Sequence, residues 1–161
     1  VLGWSMGALT SQMAIQQHPD AARAVILFGY PATLDKTWAE ETNHEAAPAA
    51  ANSRKSAASD FRVKQVVQEV IDAYVDACLA SDPVRADWTS MHEFNVLRPE
   101  ALALPVLMLW GEHDPYVRAK DMETFVRRNG VPTSRTFKIS NADHAAHLEL
   151  AAPDFLAAVV T

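Results

Sequence analysis

The chain opens Val1-Leu2-Gly3-Trp4-Ser5-Met6-Gly7, and the reading of the whole sequence turns on this stretch. Gly3, Ser5 and Gly7 fit the spacing G-x-S-x-G, in which a strand turns sharply into a helix and holds a serine hydroxyl at the apex. Side chains two residues to either side of the serine are expected to collide with so tight a turn or with a neighbouring strand, which accounts for both glycines. Serine is a poor nucleophile near neutral pH. It needs a base to take its proton, a group to orient that base, and donors for the oxyanion that forms. Alone, the motif is modest: with glycine and serine each at about 7% of residues, a chain of this length shows such a trio by accident roughly one time in twenty. A plain Gly-Ser turn is the competing reading until partners are found.

The 161 residues, 49% hydrophobic and 21% charged, suffice for one sizeable core of a soluble protein. A net charge of -6, with no basic patch interleaved with aromatics, argues against nucleic acid or an anionic membrane as partner. The longest apolar runs, Ala24 to Tyr30 and Val106 to Trp110, are strand-sized and fall well short of the roughly 18 residues of a membrane helix. A single cysteine, Cys78, allows no internal disulfide and suits a reducing, cytoplasmic setting; it is expected to be a buried, inert thiol. The six histidines form no metal-ligand spacing, so neither metal nor cofactor is expected. The first residues already read as the end of a strand, so the sequence is expected to be the C-terminal part of a longer protein.

Ala8 to Gln17 suits a helix, with Met6, Leu9, Met13 and Ala14 at near-helical spacing and His18-Pro19-Asp20 as its stop. A helix springing from the serine turn aims its first amides at the nucleophile. Ala24 to Phe28 and Leu104 to Gly111 read as strands buried on both faces, as in a parallel sheet covered by helices. Between them the pattern changes. Asn43 to Ser59 is rich in alanine and polar residues, and is expected to be a loosely packed connection. From Phe61 through Val63, Val66, Val67, Val70, Ile71, Tyr74 and Val75 to Cys78 the apolar residues keep a three-four spacing that predicts one long amphipathic helix. Ser81 or Asp82 with Pro83 predicts the start of a shorter helix reaching Phe94. About seventy residues exceed what one crossover between parallel strands needs. The organisation expected is therefore a core over 1–31 and 102–161 with a helical cap over 32–101. After the second strand come a helix over Val117 to Asn129, with Gly130 as its cap, a strand over Arg135 to Ser140, and a terminal helix from His147 to Val160.

In parallel sheets with helical crossovers, ligands collect at the carboxyl ends of the strands. Ser5, Asp114 and His144 all fall there, in the order nucleophile, acid, base that belongs to one fold among those carrying such a triad. The chain thus resembles an α/β-hydrolase with a helical cap. The residues carrying the resemblance are Gly3-Trp4-Ser5-Met6-Gly7, Leu109-Trp110-Gly111-Glu112-His113-Asp114, and Asn141-Ala142-Asp143-His144 with His147-Leu148-Glu149 and Pro153. The resemblance implies Ser5 as nucleophile, His144 as general base, Asp114 as its orienting acid and the Met6 amide as one oxyanion donor. Two departures are Asp143, where the family often has glycine, and the family's upstream oxyanion loop, which this sequence does not contain. His147 is the alternative base and Glu112 the alternative acid; the bland readings are a helix-capping role for His147 and a turn-forming one for Asp114.

The resemblance implies a serine hydrolase that cleaves a small ester or related acyl substrate through an acyl-enzyme, its partner a small molecule. Within the fold, a carbon-carbon bond hydrolase, an acyltransferase, an amide hydrolase or a haloperoxidase would use the same three residues, and a ligand-binding relative without turnover is the reading from another class. Trp4, Trp38 and Trp88 are candidate substrate-binding residues, and Tyr74, Met91 and Phe94 could share an apolar pocket with them or pack between lid helices. With one oxyanion donor expected outside them, the 161 residues alone are expected to be nearly inactive and, through an open sheet edge, prone to aggregate.

Overall fold

The computed structural model describes residues 1–34, 36–39, 50–61, 66–84 and 90–160. Four parallel strands, β1 (Leu2–Trp4), β2 (Val25–Phe28), β3 (Val106–Gly111) and β4 (Arg135–Ile139), lie side by side in chain order. Their helices are α1 (Met6–Gln17), α2 (Arg54–Ala57), α3 (Gln68–Ser81), α4 (Ala119–Asn129) and α5 (Ala152–Val160). All six residues of β3 are buried, as its unbroken apolar run requires of a strand covered on both faces.

Successive side chains of a strand point to opposite faces, so each strand supplies both layers of core. Val106, Met108 and Trp110 join Val25 and Leu27 on one face, under Leu9 and Ile15 of α1 and Met122 and Phe125 of α4. Leu107 and Leu109 join Phe28 and Ile139 on the other, under Phe155 and Ala158 of α5. Phe125 is fully buried, and truncating such a ring to alanine costs about 3–5 kcal/mol. The α1 face differs from the one its apolar spacing suggests: Ala8, Leu9, Gln12 and Ile15 are buried and Ala14 is exposed. Gln12 can be buried because its Oε1 accepts a 2.6 Å hydrogen bond from the Tyr30 hydroxyl, and burial in turn pushes the Tyr30 phenol well above its ordinary pKa. Gly130 ends α4 in the left-handed conformation at φ 71°, as expected of a glycine cap.

Two helices begin well after their expected starts, and a third expected start closes a helix instead. The helix expected from Phe61 begins at Gln68: Phe61 and Val67 are extended, and 62–65 lie outside the described residues. Val66 and Val67 are β-branched and lose side-chain freedom in a helix, so the good helix formers after them start the run. Asp82-Pro83 closes α3 instead of opening a helix; the Asp82 N–H bonds Cys78 O at 2.8 Å, and a residue before proline is driven out of the helical region. Val84 then pairs with Ala51 in an isolated antiparallel bridge, 85–89 lie outside the described residues, and Met91–Val96 is a 3-10 turn. The terminal helix starts at Ala152, with Pro153 in its first turn, and His147 sits in a separate 3-10 turn, Ala146–Leu148.

The parallel register aligns Trp4, Phe28, Leu109 and Phe137 in one row across the sheet. Ser5, Gly29, Asp114 and His144 all follow that row in their own strands, so they emerge at the same edge. α2 and α3 belong to the segment inserted between β2 and β3. No helix among the described residues is long and apolar enough to cross a membrane.

Candidate active site

Ser5 sits between β1 and α1 at φ 56° and ψ -126°, a conformation rarely adopted by residues other than glycine and costing on the order of 1–3 kcal/mol. The surrounding hydrogen bonds impose it: Ser5 N–H donates to Phe28 O at 2.9 Å, and Ala8 N–H donates to Ser5 O at 2.9 Å. A serine before a helix normally caps it, yet this hydroxyl makes no capping bond and stays available for chemistry. The Met6 N–H, at the first position of α1, has no acceptor among the described residues. The two glycines of the elbow differ. A Cβ on Gly3 would lie 2.3 Å from Gly7 O and 2.5 Å from Ser11 Oγ, so only glycine fits; a Cβ on Gly7 meets nothing within 4 Å, which corrects the expectation that both avoid a collision.

His144 and Asp114 form a buried pair. His144 Nδ1 lies 2.8 Å from Asp114 Oδ2, with the two side chains 1% and 0% exposed. The other carboxylate oxygen, Oδ1, accepts the Tyr116 N–H at 2.9 Å, which fixes the carboxylate plane. Tyr116 also packs edge-on against the His144 ring, centroids 4.7 Å apart. With Nδ1 held by Asp114, Nε2 is the ring atom left for a substrate or a nucleophile. Glu112, the alternative acid, is engaged elsewhere, with Lys138 Nζ at 2.8 Å, and that contact together with the Asn141 N–H holds its carboxyl below the ordinary range.

The imidazole reaches back across the sheet. His144 follows β4, yet a Cβ on Gly29, at the end of β2, would lie 2.8 Å from its Cε1, 2.9 Å from its Nδ1 and 3.2 Å from Asp114 Oδ2. Gly29 has φ +58°. It is therefore glycine for two reasons, conformation and room for the ring. β1 is the next strand over, about 4.8 Å away, which places the Ser5 elbow beside the ring. Trp4 joins the two: its Nε1–H donates to His144 O at 2.8 Å, and its ring stands 5.4 Å from that of His144. No hydrogen bond links Ser5 Oγ to His144 Nε2, and in unliganded sites such bonds are often long.

A cavity of about 340 Å³ opens at Ser5 and is lined by Pro31, Ala57, Tyr74, Cys78 and Tyr116 with the polar side chains of Asn52, Ser56 and Asp82. Cys78 is half-buried and faces this cavity, so the expectation of a buried thiol fails: α3 packs only Val75 fully and turns Tyr74 and Cys78 toward the open space. Trp38 lines a different cavity with Tyr30, Leu34 and Phe94, its backbone clasped by the Asn95 amide, and Trp88 lies outside the described residues. His147, the alternative base, is boxed by Trp4, Phe28 and Phe155, with centroids at 4.6, 5.5 and 5.7 Å. Burial first, and the nearby His144 second, lower its pKa to about 4. Among the described residues no group of three or more histidine, cysteine, aspartate or glutamate side chains is arranged to hold a metal ion.

Gly29 and Tyr116 are parts of this site that the sequence did not disclose. The signal for Gly29 was its position after a buried strand, where a ring from a later strand can cross.

A parallel sheet with helices on both faces, a strained serine elbow after its first strand and a buried His-Asp pair at the same edge define the α/β-hydrolase class. The chain belongs to the hydrolase family described as serine aminopeptidase, S33, whose model matches residues 1–151. Solved structures agree on the fold. An esterase from Thermogutta terrifontis is 23% identical with a TM-score of 0.65, covering 99% of this chain and 61% of that one. E-2-(acetamidomethylene)succinate hydrolase is 20% identical with a TM-score of 0.60, covering 99% and 64%. A monoacylglycerol lipase from Paleococcus ferrophilus is 17% identical with a TM-score of 0.62, covering 99% and 65%. The chain thus spans less than two thirds of the length of each of these structures. No curated protein matches it in sequence.

Proposed function

We propose that the protein is a serine hydrolase that cleaves a small ester or related acyl substrate through an acyl-enzyme. The observation that carries this reading is the buried His144–Asp114 pair laid over Gly29, one strand from the Ser5 elbow. His144 Nε2 takes the proton of Ser5 Oγ as the oxygen attacks the acyl carbonyl. Asp114 holds the ring through Nδ1 and balances the imidazolium, and the Met6 N–H donates to the oxyanion. The intermediate collapses to the acyl-enzyme as the carbon-oxygen bond to the alcohol breaks and the imidazolium gives that alcohol its proton; His144 then takes a proton from water, which attacks the acyl carbon and frees Ser5. The cavity beside Ser5 takes the small molecule, and the segment that contains α2 and α3 acts as its cap.

Acyl transfer uses two oxyanion donors, and the described residues supply one, Met6. Losing a donor costs about 3 kcal/mol in the transition state, so the 161 residues by themselves turn over slowly. In the whole protein, Ser5→Ala is expected to abolish hydrolysis of p-nitrophenyl butyrate while leaving the unfolding transition in place. Retained hydrolysis would contradict the assignment.

A further inference from the structure

The turn that carries His144 is tied at several backbone positions, and one buried side chain makes the tie just before the histidine. Entering the turn, Asn141 adopts φ 55°, and its N–H donates to Glu112 Oε2 at 3.1 Å. Ala142 O accepts the His113 N–H at 2.8 Å. The Asp143 N–H donates to Glu149 Oε2 at 2.9 Å, and the Ala145 amide, on the other side of His144, helps to hold that carboxyl charged. Between them the His144 N–H donates to Asp143 Oδ1 at 2.7 Å, and His144 O accepts from Trp4. Glu149 therefore ties the amide that precedes His144.

Glu149 is only 5% exposed, and its Oε1 has been withdrawn from water without a full set of partners. Burial, together with the charges of Asp143 and Asp114, pushes its pKa above the ordinary carboxyl value, while the two amides pull it back. An aliphatic side chain would avoid that desolvation. A buried carboxyl at such a position needs a compensating use, and the amide of Asp143 is what it holds.

We propose that Glu149 is a positioning residue: by accepting the Asp143 N–H from within the core it fixes the turn that presents His144 to Ser5. The proposal rests on the serine-hydrolase reading above. Glu149 acts through His144 and touches neither substrate nor nucleophile. Its effect falls on the geometry of proton transfer, so it alters kcat and leaves KM nearly alone.

The test uses the whole protein and p-nitrophenyl butyrate, with kcat and KM measured separately and folding followed by circular dichroism. Glu149→Leu keeps the bulk and removes the acceptors; Glu149→Asp keeps the charge but withdraws the oxygens by one methylene; Glu149→Gln keeps one acceptor oxygen. Expected are losses in kcat of about tenfold to a hundredfold for the Leu and Asp variants, KM within about threefold, and substantial recovery in the Gln variant. A folded Leu or Asp variant with unchanged kcat, or a loss confined to KM, overturns the proposal. If the Leu variant does not fold, the Asp and Gln pair decides. Ser5→Ala in the same assay separates the two levels: turnover surviving in Ser5→Ala sinks the serine reading, whereas turnover lost there and unchanged in Glu149→Asp sinks only the role of Glu149.

Discussion

The floor and the roof of the cavity at Ser5 are built differently. The floor is the sheet edge with the turn of His144, where Asp114, Asp143, His144 and Glu149 are buried and the His144 N–H, the His144 carbonyl and the Asp143 N–H are all paired. The roof is the segment between β2 and β3. α2 is one turn long and packs only Ala57 fully, α3 buries only Val75, and the ion pairs of Arg54 with Asp72 and Asp76 are more than half exposed. Exposed pairs of this kind add little stability. On the proposed serine-hydrolase reading the contrast separates two functions: the floor would hold the reacting groups to a fixed geometry, and the loosely packed roof would adapt to the molecule beneath it.

The largest expected effect comes from breaking the floor at Gly29. Gly29→Ala puts a Cβ within 2.8 Å of the His144 ring at φ +58°. Displacing a reacting group by about an ångström costs about a hundredfold in rate, and the left-handed backbone adds about 1–2 kcal/mol of instability. A crippled kcat with a modest fall in the denaturation midpoint is the expected outcome. Normal turnover in this variant would mean that the ring does not have to lie over β2.

A smaller effect is expected at His147, which separates the two candidate bases. His147→Phe fills the same aromatic box and removes a buried Nδ1 without a partner, so turnover should change far less than the ~10²-fold that losing a general base costs. Its signature lies in the pH dependence of stability. With a folded pKa of about 4 against 6.5 in the unfolded chain, His147 binds fewer protons when folded, so the protein loses stability as pH falls from 6.5 toward 4. Glu149, raised in the fold, works in the opposite direction, its contribution growing as pH falls. Urea midpoints across this window should decline less steeply in His147→Phe than in the parent. An identical decline in both proteins would show that the ring is not buried in neutral form.

The same division governed what was legible in the sequence. β2, β3, the serine elbow and the Gly130 cap were readable because their causes are local: apolar runs bounded by turn residues, and glycine where φ is positive. The pairing of His144 with Asp114 was implied by the family resemblance, and the ends of parallel strands do bring both residues to one edge. Contacts decided across the sheet were not readable. Gly111, where a Cβ would meet Asp143 O at 2.2 Å, and Glu149, whose carboxylate takes the Asp143 N–H, stood out in sequence only through the family resemblance, which says nothing of what either touches. In the roof, apolar spacing ran on through Val66 and Val67 although the helix starts at Gln68, because β-branched residues satisfy the pattern without favouring the conformation.

The most direct test of the central claim is covalent labelling by a fluorophosphonate, followed by peptide mass spectrometry, on the whole protein and its His144→Ala variant. The account predicts one adduct, on Ser5, in the parent, and labelling slowed by orders of magnitude in the variant. An adduct on another residue, or equal labelling of Ser5 without His144, would contradict it.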